Sequence, residues 1–220
     1  METDFLITGT GLDLWWFFIL TGVSFLASFI SSVLGLGGGM LLIAVMALAL
    51  PPVVLIPIHG AIQLGSNFGR AGLLHRHVLR SIIPAFLIGS IIGVAVGTHF
   101  LITLPLQFLQ FVLVVFVLYA TWAPKFQASN PNSKTFFIVG AIGSFITMFV
   151  GATGPVIAPL VSAACKDRKQ IVATHAALMV FQHGLKIISF GLLGFAFGPY
   201  MPLMVFMIGF GFMGTYCGKF

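Results

Sequence analysis

Acidic side chains are almost missing from this chain. Glu2, Asp4 and Asp13 precede the first long apolar run, and Asp167 is the one later carboxylate side chain. A carboxylate proton relay, or a sodium site built from carboxylates, therefore cannot be assembled within the apolar segments. Hydrolytic constellations are missing too: HExxH does not occur, and no Ser or Cys has an evident His and acid partner. An intramembrane hydrolase is thus a weak reading, and no enzyme activity is expected. Cysteine is scarce as well, and Cys165 and Cys217 lack the spacing of a metal site or redox pair, so both read as structural. No Lys or Arg precedes the first apolar segment, which excludes the basic n-region of a cleavable signal peptide. Trp15 to Leu34 is then a retained span, opened by an interfacial aromatic belt of Trp15, Trp16, Phe17 and Phe18.

Charge of either sign is rare. Charged residues make up 6% and hydrophobic residues 59% of the chain, against about 25% and 45–50% in a soluble domain. This is the composition of an integral membrane protein, with its 220 residues enough for about eight or nine spans of about 20 residues. The formal charge of +6 does not point to nucleic acid. Arg76, Arg80, Lys125, Lys134, Lys166, Arg168, Lys169 and Lys219 lie in or beside inter-span segments, where cytoplasmic loops collect positive charge. Arg70 and Lys186 alone fall within spans.

These two cations belong to polar stripes. The predicted helix Val53 to Leu74 carries His59, Gln63, Ser66, Asn67 and Arg70 at i, i+4, i+7, i+8 and i+11, a spacing that puts all five on one face. A second helix, Lys169 to Leu192, carries His175, Gln182, His183 and Lys186 at i, i+7, i+8 and i+11. At one constant offset His59 falls on His175, Ser66 on Gln182, Asn67 on His183 and Arg70 on Lys186. The same offset aligns two glycine-rich breaks, Gly35-Leu36-Gly37-Gly38-Gly39 and Gly151-Ala152-Thr153-Gly154-Pro155, each followed by a short apolar segment (Met40 to Leu50, Val156 to Cys165).

The expected fold is therefore an all-α polytopic membrane bundle of two repeats. Residues 1–122 form the first repeat, 123–134 (APKFQASNPNSK) a cytoplasmic linker, and 135–220 the second repeat, which stops at Lys219-Phe220 without a counterpart of the Leu106 to Trp122 span. Ile82 to Ile102 carries Gly89, Gly93 and Gly97 at four-residue spacing, a small-residue packing face. If every apolar segment crosses, an odd number of crossings separates the halves and the repeats are inverted. An N-terminus outside then satisfies the positive-inside rule throughout. If the short segments re-enter instead, Lys166 to Lys169 move outside. Inverted repeats with interrupted helices are also the plan of secondary transporters.

A charge within a span costs about 2.5–3.5 kcal/mol on insertion scales, so Arg70 and Lys186 should face a cavity or partner unless they snorkel to an interface. With no acid available, the missing counter-charge is a bound anion. His59 and His175 are the titratable groups able to add charge to such a site. Helices starting after Gly39 or Pro155 would present unpaired N–H groups and a positive dipole end to it. Gly38 and Gly154, common to both breaks, would serve close backbone approach or unusual φ values.

The run SSVLGLGGGML, the following HGAIQLGSNFGR, and the second copy GATGP with HAALMVFQHGLK resemble the TauE/SafE family of sulfite exporters. That resemblance implies a permease moving sulfite, sulfonates and related anions across the bacterial cytoplasmic membrane. The expected substrate-binding set is His59, Gln63, Asn67, Arg70, His175, Gln182, His183, Lys186, Gly38, Gly39 and Gly154, with no cofactor and no metal. Partners are the small anion and the lipid bilayer, and self-association is left open. The competing reading from another class is a haem-binding electron carrier using His59, His175 or His183 as axial ligands.

Overall fold

The computed structural model describes residues 6–34, 37–101, 103–122 and 130–218. Gly35, most of the expected 123–134 linker and Lys219 lie outside the described residues. All regular structure in the described residues is helical: α1 (Leu14–Leu34), α2 (Gly38–Met46), α3 (Pro52–Leu73), α4 (Ile83–Leu101), α5 (Leu106–Trp122), α6 (Ser133–Val150), α7 (Gly154–Ala164), α8 (Arg168–Leu192) and α9 (Met201–Gly218).

Local chemistry sets the ends. Asp13 and Asp167 accept from the backbone N–H of Trp16 and Gln170, each at 2.9 Å, and cap α1 and α8. Asn132 and Thr135 form a reciprocal capping box on α6. α3 opens on Pro52, where a missing N–H costs nothing. α6 stops at Gly151, whose φ of +79° is the left-handed cap that glycine adopts without strain. The short helices begin two residues before the expected segments, at Gly38 and Gly154, because the first helical turn needs no N–H partner within the helix and so reaches back into each break.

Among the described residues, five helical segments are long and apolar enough to cross a membrane: Leu14–Leu34, Arg80–Leu101, Ser133–Val150, Arg168–Leu192 and Gly198–Gly218. α3 has 22 residues but carries the polar stripe, which lowers its hydropathy. The exterior is apolar, with Ile92, Phe111, Leu192 and Val205 exposed, while the histidines and amides of the two stripes and both span cations are buried. That inside-out distribution is what a bilayer demands. Phe17 departs from the expected aromatic belt. One helical step of about 100° from half-buried Trp16 and exposed Phe18 turns it inward, where it packs against Phe206 with ring centroids 5.3 Å apart.

Contact registers fix the helix directions. Ser24 and Ser32 donate to the carbonyls of Met207 and Thr215 at 2.7 and 3.0 Å, so α1 and α9 run parallel. A Cβ at Gly89 or Gly93 would run into the carbonyl of Phe137 or Ala141, so α4 and α6 also run parallel. α3 parallels α9, with Gly65 against Ile208 and Gly69 against Phe212. α8 opposes α3: Gly60 meets Lys186, and just past the end of α3 the Leu79 N–H donates to Thr174 near the start of α8. Since α4 starts where α3 stops, α1, α3 and α9 point one way and α4, α6 and α8 the other. α2 begins alongside Ala27 and Ser31 of α1 and returns between α1 and α3. Two bodies result, one of α1, α3 and α9 and one of α6, α8 and α4, meeting along α3 and α8.

Candidate functional site

The meeting of α3 and α8 contains a small cavity of about 30 Å³. α3 contributes His59, Gln63, Asn67 and Arg70 to its wall, and α8 contributes His175, Met179 and His183. The two breaks close it, Gly37, Gly39 and Met40 from one side and Ala152, Gly154 and Pro155 from the other, with Ser31 of α1. Elements a hundred residues apart in sequence thus converge because each stripe turns its one polar face away from lipid.

Arg70 does not snorkel. It is 4% exposed, and its terminal nitrogens donate to Asn67 Oδ1 at 3.1 Å and Ser66 Oγ at 3.3 Å, while Nε has no partner. Asn67 in turn donates to the Gln63 carbonyl at 2.8 Å and to Gln63 Oε1 at 3.2 Å, so the α3 stripe is a connected chain of amides ending on the guanidinium. Among the described residues no ion pair to a carboxylate neutralises it, and the spans themselves contain no Asp or Glu to form one. Ser66 also meets Ser28 of α1 at 2.9 Å.

The two histidines at matching stripe positions do matching work. His59 Nε2 donates to the Gly39 carbonyl at 3.0 Å and His175 Nε2 to the Gly154 carbonyl at 3.2 Å, each reaching the first turn of a short helix. A carbonyl only accepts, which places the proton on Nε2 and leaves Nδ1, unpartnered in both rings, with a lone pair. His183 stands edge-on to His59 with ring centroids 6.1 Å apart. These imidazoles give haem ligation no support: two of them spend Nε2 on carbonyls, and a cavity of about 30 Å³ is far below the roughly 300–1,000 Å³ of sites for larger ligands.

Of the expected residues, the cavity wall gathers His59, Gln63, Asn67, Arg70, His175, His183, Gly39 and Gly154. Gln182, Lys186 and Gly38 are elsewhere. Gln182 accepts from the Thr153 hydroxyl at 2.9 Å and donates to Ser144 at 3.1 Å. Lys186 donates to the Gly151 carbonyl at 2.8 Å. Gly38 lies so close to α1 that a Cβ would strike the Ala27 carbonyl. Of the two reasons expected for glycine at 38 and 154, positive φ belongs instead to Gly37, at +100°, and Gly151, while close backbone approach holds at Gly38. A Cβ at Gly154 would meet the His175 ring at an ordinary 3.4 Å. Sequence reading passed over Met40, Met179 and Ser31. Met179 was legible, since 175, 179 and 183 recur at i, i+4 and i+8; Ser31 offers no signal of its own.

The family model described as Sulfite exporter TauE/SafE matches residues 20–220. No curated protein and no solved structure matches the chain.

Proposed function

The chain belongs to the TauE/SafE sulfite exporter family, and from that premise we propose that it exports a compact inorganic sulfur oxyanion, sulfite first, through the cavity between α3 and α8. One observation carries the reading. Arg70 is a buried cation on that cavity with no carboxylate among the described residues to neutralise it, and an anion in transit is the counter-charge its position requires. Its guanidinium has N–H groups to spare for a bidentate grip on an oxyanion. The cavity has room for about two waters, which suits a tailless oxyanion better than an organosulfonate.

In this reading the two repeats are inverted, supported by α6 running against α1 and by main pairings that survive exchange of the halves: α1 with α9 becomes α6 with α4, and α3 with α8 is unchanged. The ends bearing Arg76, Lys134 and Lys166 face the cytoplasm of a bacterial inner membrane, and the start of α1 faces outward.

The test is thermal stabilisation of detergent-purified protein by sulfite, sulfate, taurine and chloride, since a ligand bound to the folded state alone raises apparent stability by mass action. Sulfite should stabilise the wild type and not Arg70→Gln. Stabilisation by taurine with none from sulfite would overturn the assignment.

A further inference from the structure

Arg70 and Lys186 occupy matching positions on the two stripes, yet their side chains have different destinations. Arg70 stays on its own helix beside the cavity. Lys186 leaves α8, passes α3 at Gly60, and ends on the Gly151 carbonyl. The passage is made by a missing side chain: a Cβ at Gly60 would stand 2.6 Å from Lys186 Cε. Gly151 caps α6, where carbonyls lack partners within the helix and the negative end of the dipole lies, so an ammonium there meets both needs.

Two further α8 side chains grip the residues that follow. Gln182 holds the Thr153 hydroxyl and reaches Ser144 on α6, and His175 holds the Gly154 carbonyl. Between Gly151 and Gly154 the second break is therefore bound to one face of α8 at Gly151, Thr153 and Gly154. On the first break, among the described residues, α3 offers the single bond from His59 to Gly39, while Gln63, Asn67 and Arg70 bond to one another.

We infer that Lys186 is a positioning residue and not a second anion ligand: together with Gln182 it latches the second break onto α8, so that α7, the break and α8 travel as one body when the cavity changes sides. Rigid-body motion of one bundle against another is the usual route to alternating access. The flux part of this inference rests on the sulfite reading; the latch itself does not.

The experiment uses the full chain carrying Lys186→Gln or Gly60→Ala. The alanine displaces the lysine chain while keeping its charge, and it carries both measurements if Lys186→Gln fails to fold. Amide hydrogen exchange across residues 150–156, read without any anion, should accelerate about tenfold or more in both variants as local opening becomes easier. In sulfite-loaded proteoliposomes both should keep KM within about threefold and lose about tenfold of maximal rate per folded molecule, the mark of an interaction that acts on turnover and not on binding. Unchanged exchange across 150–156 would overturn the latch. So would a Lys186→Gln protein that loses sulfite affinity as fully as Arg70→Gln while Gly60→Ala retains it, because charge and not position would then matter. A wild type that neither binds nor moves sulfite would count against the cargo alone, leaving amide exchange to decide the latch.

Discussion

Arg70 sits where charge and geometry can be separated by substitution. Arg70→Lys keeps the charge but replaces a planar fork by a point charge on a flexible stem. Sulfite-induced stabilisation should survive in the lysine variant with apparent affinity weakened about tenfold, roughly the loss of one charge-assisted hydrogen bond. Affinity equal to wild type would show that the cavity needs a cation and no fork. The two break glycines should part company. A Cβ at Gly38 meets the backbone of α1, which cannot give way, whereas at Gly154 it meets the His175 ring at 3.4 Å. Gly38→Ala is therefore expected to cost stability by about 1–3 kcal/mol or more through overpacking, seen as a lower melting temperature without sulfite. Gly154→Ala should melt like the wild type yet respond less to sulfite, because the added methyl stands at the cavity wall. Equal melting of the two variants would contradict this division.

At the level of elements, α4 and α6 touch backbone to backbone along Gly89 and Gly93, and α1 and α9 do so along Gly214, where a Cβ would strike the Phe25 carbonyl. In lipid such close approach replaces the hydrophobic drive that water would supply. Gly93→Leu should thus separate α4 from α6 and lower both yield and melting temperature, while Ile92→Leu, on the exposed neighbouring face, should change neither. This much of the architecture was legible in the sequence, since a four-residue glycine spacing and a one-faced polar stripe both follow from the 3.6-residue helical period. The ends of long side chains were not. Periodicity puts Lys186 on the correct face, but its destination depends on the gap at Gly60 and a carbonyl at Gly151, partners on two other helices. Gln182 went astray for the same reason, its amide being claimed by Thr153 and Ser144. The demand for glycine at position 38 comes from α1, and no local pattern records it.

For the whole molecule, the alternation of helix directions makes a topological statement. Arg76, Lys134 and Lys166 lie at one end of the bundle, because α3 ends, α6 starts and α8 starts there. Single cysteines at these positions, in a background lacking Cys165 and Cys217, should all resist an impermeant thiol reagent in intact cells and react once the membrane is opened. Labelling of position 166 alone in intact cells would restore a re-entrant course for the short helices. A different consequence follows from the pairing of α1 with α9 and of α4 with α6. Each partner comes from the opposite half of the chain, as with two hands whose fingers are interlaced. A polypeptide cut between Trp122 and Asn130 leaves two fragments, neither of which contains a complete body, so each should be degraded when made alone. Produced together, the fragments should protect one another, co-purify without any covalent link, and regain sulfite transport.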